Sequence, residues 1–143
     1  MSEPFIPFHQ HLLVKCWVKN PPRTEAEVSS WLINLVHTVG MKVVAGPTSV
    51  RVSETGNEGV TGTITLATSH ASIHVWDALD PALIQFDIYS CKCFELKQVM
   101  DCFNDWEIVN YDWIMIDRNE GMEVVAEGTY FKDETLNLLQ NED

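Results

Sequence analysis

Nucleophilic and basic side chains are concentrated in residues 68–76, which read Thr-Ser-His-Ala-Ser-Ile-His-Val-Trp. A serine hydroxyl such as that of Ser69 attacks a carbonyl only when a base activates it and the carbonyl is polarised. A thiol follows at Cys91, the last residue of an Asp-Ile-Tyr-Ser-Cys segment. Without a further pattern, Ser69 would be an ordinary serine at the edge of a strand.

The histidines do not predict a metal site. On one face of an extended strand, His70 and His74 would lie about 13 Å apart, too far to share an ion. His9 and His11 are closer together, but no cysteine or acid is near them in the sequence. We therefore interpret His9 and His11 as surface or N-terminal contacts.

Composition narrows the function classes. The chain has 143 residues, a net charge of −12 and only 9 Lys and Arg, scattered along its length. This balance disfavours nucleic-acid binding and suits a small cationic, amino-acid-like ligand. No apolar run is long enough to span a bilayer, and residues 1–10 lack the regions of a secretion signal, so we expect no membrane partner and a cytoplasmic location. The four cysteines should then be free thiols.

Residues 59–76 and 87–91 together resemble the core of the bacterial-type S-adenosylmethionine decarboxylases. The first stretch reads GVTGTITLATSHASIHVW and the second reads DIYSC. In that family a G-V-S-G segment leads into Glu-Ser-His-x-Ser/Thr-Ile-His-Thr-Trp/Tyr-Pro-Glu, and Asp-x-Phe-Thr/Ser-Cys follows. The combination is specific, and it implies a single domain over residues 1–143.

The resemblance implies a proenzyme that cleaves itself between Thr68 and Ser69 and converts Ser69 into a pyruvoyl group, its only cofactor. This group forms a Schiff base with the substrate amine and serves as the electron sink for decarboxylation. By position, His74 is the base of the processing reaction, Thr61 assists it, and Cys91 donates a proton to the product. The implied reaction is decarboxylation of S-adenosylmethionine for spermidine synthesis, carried out by a homodimer or a higher homo-oligomer.

The chain departs from the family at the cleavage site and at the nucleoside contacts. Thr68 replaces the glutamate that usually precedes the cleaved serine, although the attacked group is the backbone carbonyl. The family's Pro-Glu pair, whose carboxylate contacts the ribose, is absent. Trp76, Asp77 and Asp80 are the candidate substrate contacts in its place, and the two aspartates also suit a turn. No aromatic residue precedes the G-V-T-G segment to stack on adenine.

These departures leave two alternatives open. A pyruvoyl enzyme of this family that lacks nucleoside contacts would decarboxylate arginine or ornithine. A chain that stays uncut because of Thr68 would be an inactive homologue acting as a binding subunit. Autoprocessing to an S-adenosylmethionine decarboxylase is the leading interpretation, since Ser69, His74 and Cys91 are all present.

Hydrophobic periodicity predicts the elements that must position these residues. Strands are predicted at residues 12–19, 41–45, 50–52, 60–67, 70–76, 82–89, 108–116 and 122–130, and helices at 24–39 and 94–103. The strands at 70–76 and 82–89 should form a hairpin, and Trp31 and Cys16 should lie in the core. Together these elements predict an α+β fold, a two-layer sandwich of an antiparallel sheet with two helices packed on one face.

Overall fold

The computed structural model describes residues 8–132, so most of the N-terminal segment on which the cytoplasmic expectation depends lies outside it. The strands are β1 (Gln10–Val18), β2 (Val43–Val52), β3 (Gly59–Leu66), β4 (His70–Trp76), β5 (Ala82–Ser90), β6 (Ile108–Asp117) and β7 (Glu123–Phe131). The helices are α1 (Glu25–Thr38) and α2 (Leu96–Asp101), followed by a 3₁₀ turn (Asn104–Trp106). Neither α-helix in this range is long and apolar enough to cross a membrane.

All seven strands form one antiparallel sheet in the order β2-β3-β4-β5-β1-β6-β7. β4 and β5 form the predicted hairpin, with Ile73 opposite Phe86. β1, the first strand in the sequence, lies inside the sheet and pairs with β5 on one side and β6 on the other. The predicted α+β class with an antiparallel sheet and two helices is confirmed.

The core lies between the sheet and the helices. Alternate residues of the central strands are buried on this side: Leu12, Val14, Cys16, Val18, Ala71, Ile73, Val75, Ile84, Phe86 and Ile88. Trp31 of α1 packs against the Trp106 ring with centroids 4.8 Å apart, and its indole N–H donates to the Cys102 carbonyl at 2.6 Å. Trp31 and Cys16 are core residues, as predicted, and Trp31 joins α1 to the segment that follows α2.

The helix boundary agrees with the capping pattern. The Thr24 hydroxyl accepts a hydrogen bond from the Glu27 N–H at 3.1 Å, which satisfies one of the free donors at the start of α1. The helix ends before Gly40, whose φ of +71° favours glycine.

The two short strands predicted at 41–45 and 50–52 are wrong, because the structure joins them into the single edge strand β2. The pairing of β2 with β3 shifts register between Ala45 and Thr48. Gly46, with a φ of +86°, and Pro47 lie in this irregularity. An edge strand tolerates proline and a bulge because one of its sides has no partner strand, so the interruption in the sequence does not end the strand.

Two glycines of the GVTG segment lie where a side chain has no room. A Cβ atom on Gly62 would be 2.6 Å from Val28 Cγ1 of α1, and one on Gly59 would overlap the backbone carbonyl of Val75 in β4. These glycines let β3 approach both α1 and β4 closely. That close approach fixes the position of Thr61, which lies between Gly59 and Gly62 in β3.

We expect Gly59→Ala to lower the free energy of unfolding by about 3 kcal/mol or more, because the added methyl group overlaps backbone rather than a movable side chain. Urea unfolding followed by circular dichroism measures the change. Gly121→Ala is the matched control, since the nearest atom to its Cβ would be 3.9 Å away. Equal stability of the two variants would contradict the packing described for β3.

Candidate active site

The sheet face opposite the helices is called the open face below. It carries most of the histidine, serine, threonine and aspartate side chains that could take part in catalysis or binding. Side chains alternate between the two faces of a strand, so the residues between the buried positions point to this side. On the open face lie His11, Thr61, His70, Ser72, His74, Trp76, Asp87 and Tyr89. The sheet therefore separates a structural face from a face that can carry chemistry.

The predicted cleavage site lies in the tight connection between β3 and β4. The Leu66 N–H donates to the Ser69 carbonyl at 2.9 Å and closes this turn. The Cys91 N–H donates to Ser69 Oγ at 3.0 Å, and the Cys91 thiol donates to the Thr68 carbonyl oxygen at 3.1 Å. The structure thus brings together three predicted site residues: Thr68, Ser69 and Cys91.

Cys91 also has neighbours that its place in the sequence does not reveal. Its Sγ lies 3.7 Å from His9 Nδ1 and 3.8 Å from the Tyr89 hydroxyl, and His9 Nδ1 is 2.7 Å from that hydroxyl. The Arg118 guanidinium lies 4.5 Å from the centroid of the Tyr89 ring. The expectation that His9 has no cysteine near it is wrong, because the pairing of β1 with β5 places His9 beside Cys91.

Thr61 and His74, to which the resemblance assigns roles in processing, are in hydrogen-bond contact with each other and lie away from the cleavage turn. Thr61 Oγ1 and His74 Nδ1 are 3.0 Å apart on directly paired residues of β3 and β4. His70 adjoins Ser69, and His74 lies on the same face about 13 Å further along the strand. Within one chain the pair therefore does not reach the Ser69 hydroxyl.

His11 has an acid partner, so interpreting it as a residue without one was also wrong. His11 Nε2 lies 2.7 Å from Asp87 Oδ2, and the Ser72 hydroxyl donates to Asp87 Oδ1. Burial by itself would raise the pKa of Asp87, but the hydrogen bonds from His11 and Ser72 outweigh it, and the neighbouring His70 acts in the same direction. The pKa of Asp87 is therefore lowered, and the carboxylate is ionised near neutral pH.

Asp87, His11 and His70 each place one possible metal-ligating atom within 4.8 Å of the others. In the sequence these three residues are far apart, and only the His70–His74 and His9–His11 pairs are close enough to suggest a shared ion. His70 Nε2 is 4.0 Å from Asp87 Oδ2, while both Asp87 oxygens already have hydrogen-bond partners. Hydrogen bonding is thus sufficient to explain the arrangement without an ion.

Of the candidate substrate contacts, Asp77 has a structural partner. Its side chain is 4 % exposed and forms a two-point ion pair with Arg51, at 2.6 and 3.1 Å. Arg23 donates to the Asp77 carbonyl at 3.0 Å. Asp80 is exposed, and the Trp76 indole N–H donates to Asn57 Oδ1 at 3.0 Å. The carboxylate of Asp77 is therefore already paired with Arg51, whereas Asp80 and Trp76 remain candidate substrate contacts.

The four cysteines are free thiols, as predicted, and their environments differ. Cys16 is fully buried, and burial raises its pKa to about 12, so it is an inert part of the core. Burial also raises the pKa of Cys102, which is half-buried beside α1. Cys91 is the half-buried thiol that lies beside the cleavage turn.

The residues missed by sequence reasoning share one signal, which is their spacing along two strands. His9 and His11 are two apart at the start of β1, and Asp87, Tyr89 and Cys91 are two apart at the end of β5. In the antiparallel register His11 is opposite Tyr89, and two residues further on His9 meets Cys91. Alternation marks each set as sharing a face, but the pairing of β1 with β5 is needed to bring the sets together.

The cleavage turn, Cys91 and the Thr61–His74 pair all fall in a stretch that matches a known family. Residues 10–109 match the family described as S-adenosylmethionine decarboxylase, which is more than half of the chain. The chain belongs to this family. The resemblance identified from residues 59–76 and 87–91 is thereby confirmed.

One curated member of the S-adenosylmethionine decarboxylase family gives a more direct comparison. The chain is 30% identical over 84 residues to the S-adenosylmethionine decarboxylase proenzyme of Methanococcus vannielii. The alignment covers 57% of this chain and 64% of that relative. The chain therefore matches less than two thirds of the relative's length.

We expect Ser72→Ala to raise the pKa of Asp87 towards its ordinary value of about 3.9, because the carboxylate loses a hydrogen-bond donor. A lowered folded-state pKa contributes stability above the unfolded pKa, and this contribution is lost as the pH falls through the folded value. The variant should therefore be less stable than the original protein by about 1 kcal/mol at pH 7, with a smaller difference at about pH 3.

Carbon NMR titration of the Asp87 carboxyl and urea unfolding at both pH values measure these effects. Ser30→Ala, on the exposed side of α1, is the control and should give no such pH-dependent difference. An unchanged Asp87 titration in Ser72→Ala would show that the hydroxyl does not stabilise the carboxylate.

Proposed function

We propose that this protein is a proenzyme that cleaves itself between Thr68 and Ser69 and then decarboxylates S-adenosylmethionine. The observation that carries the proposal is the contact of Cys91 with both sides of the cleavage bond, through its N–H to Ser69 Oγ and its thiol to the Thr68 carbonyl. Membership of the family and the proenzyme relative support it. The enzyme would act in the cytoplasm and supply spermidine synthesis.

The two reacting groups of the cleavage belong to adjacent residues. Attack of Ser69 Oγ on the Thr68 carbonyl carbon moves negative charge onto the carbonyl oxygen, to which the Cys91 thiol donates. The Cys91 N–H holds Ser69 Oγ without using the hydroxyl proton, which stays available to a base. The change from glutamate to Thr68 leaves all of these atoms in place.

The surroundings of Ser69 also fit a pyruvoyl group at this position. Ser69 is half-buried in the turn directly before β4, and Cys91 lies beside it with a thiol that can act as an acid. The pyruvoyl group would supply the carbonyl that captures the substrate amine and draws electrons from the bond to carbon dioxide. Cys91 then donates the proton that the substrate carbon needs after carbon dioxide has left.

A cleft on the open face suits a small substrate. Its volume is about 330 Å³, at the lower end of the usual range for ligand sites, and its lining includes His74, Gln85, Asp87 and Asp112. The lining holds the carboxylates of Asp87 and Asp112 and also the ammonium of Lys15. The net charge of −12 over the whole chain favours a cationic ligand, which fits the sulfonium and amine of S-adenosylmethionine.

We further propose that the active unit is a homodimer, because one chain holds two separated halves of the processing site. Ser69 and Cys91 lie at one end of the open face, and Thr61 and His74 lie towards the other. A second copy packed against this face in the opposite direction would bring its own Thr61–His74 pair to Ser69. A two-fold axis creates two such sites at once.

Purified protein is expected to contain two fragments of 68 and 75 residues, because cleavage before Ser69 divides the chain there. Intact mass spectrometry measures the fragments, and Ser69→Ala should remain a single chain. The cleaved protein should release carbon dioxide from S-adenosylmethionine and not from arginine or ornithine. An uncut original protein would reject the proposal in favour of an inactive homologue, and release from arginine or ornithine alone would reject the substrate.

The dimer can be tested by mixing two defective chains. Ser69→Ala lacks the nucleophile and His74→Ala lacks the processing base, so each chain expressed alone should stay uncut. When the two are co-expressed, the His74→Ala chain should be cleaved, since the partner's His74 reaches its Ser69. Mass spectrometry distinguishes the two chains.

The matched control replaces His37, which is exposed on α1, and His37→Ala expressed alone should be cleaved, because its own second copy supplies His74. If the co-expressed His74→Ala chain remains intact, the two halves of the site do not meet across a dimer.

A further inference from the structure

His9 is held at a fixed position beside Cys91. The His9 N–H donates to Asn119 Oδ1 at 2.7 Å, and its carbonyl accepts from the Arg118 N–H at 2.7 Å. These contacts tie the residue before β1 to the end of β6. The imidazole lies parallel to the Tyr89 ring, with the planes at 13°, and its Nδ1 is shared between the Tyr89 hydroxyl and Cys91 Sγ.

A thiol that gives its proton to carbon must recover a proton before the next turnover. Two side chains with exchangeable protons contact Cys91 Sγ in the described residues, Tyr89 at 3.8 Å and His9 at 3.7 Å, within the longer reach of hydrogen bonds to sulfur. Desolvation and the hydrogen bond with Cys91 raise the pKa of Tyr89. The phenol therefore stays protonated near neutral pH and is a poor source of protons.

An imidazole, in contrast, takes up and releases protons readily near neutral pH. His9 is partly exposed, so its ring can exchange protons with water. We propose that His9 is a positioning residue that returns a proton to the Cys91 thiolate, while the Tyr89 hydroxyl keeps the ring in place. The proton passes from Nδ1 to Sγ, an S–H bond forms on the sulfur lone pair, and the imidazole regains a proton from water.

This inference rests on the proposed function for its role in turnover, but the contact can be tested without it. The same imidazole can also accept the thiol proton, which makes the sulfur nucleophilic. In the uncleaved Ser69→Ala protein, His9→Ala should slow alkylation of Cys91 by iodoacetamide about tenfold at neutral pH. Peptide mass spectrometry separates Cys91 from the other thiols, and added imidazole should restore part of the rate.

Two further variants separate proton transfer from a structural role. His9→Gln can still hydrogen-bond to the Tyr89 hydroxyl but cannot carry a proton, so alkylation should remain as slow as in His9→Ala. His37→Ala, which removes an exposed histidine on α1, should leave the rate unchanged. A normal rate in His9→Gln would overturn the proposal, as would a normal rate in His9→Ala.

In the protein with Ser69 intact, His9→Ala should lower kcat about tenfold or more with little change in KM, and imidazole should rescue kcat. A higher KM, with kcat unchanged and no rescue by imidazole, would overturn the proposal. If the original protein neither cleaves nor decarboxylates while alkylation still depends on His9, the proposed function fails and the proton exchange between His9 and Cys91 stands.

Discussion

The pairing of β1, β4 and β5 in one antiparallel register is the constraint on which the site depends. Side chains alternate along these strands, so a slip of one residue would move every polar group from the open face into the core. Leu12, Ile73 and Ile88 are fully buried on the helix side and oppose such a slip. The burial of apolar residues on one face thereby fixes the positions of His11, Asp87 and the other polar groups on the opposite face.

Among residues 8–132, polar groups on the open face are hydrogen-bonded to one another. Asp87 accepts from two strands at once, through His11 on β1 and Ser72 on β4, and Cys91 contacts both His9 and the cleavage turn. Such a network holds side chains in defined orientations on a surface that is partly open to water. In the proposed homodimer, the second copy would pack against side chains that are already held in place on the open face.

The ion pair between Asp77 and Arg51 bears on how a nucleoside would be held. It connects the turn after β4 to the edge strand β2, and Arg51 also donates from its backbone N–H to Glu25 at the start of α1. The Asp77 carboxylate therefore takes part in a set of contacts that joins the turn after β4, strand β2 and helix α1. Under the proposed function, contacts to the nucleoside come from other groups, such as Trp76 with its indole fixed by Asn57.

Most of the elements, though not the continuity of β2 through Gly46 and Pro47, and the motif residues could be predicted from the sequence alone, because periodicity, capping and the Ser-His-x-Ser-Ile-His pattern are local properties. Trp31 could be assigned to the core for the same reason, since helical spacing marks its buried face. The tertiary structure alone decided that His9 lies beside Cys91 and His11 beside Asp87, that Asp77 is paired with Arg51, and that the Thr61–His74 pair lies apart from Ser69. Each of these facts depends on which strands pair and in which register, and that choice is made by burial across the whole sheet rather than by neighbouring residues.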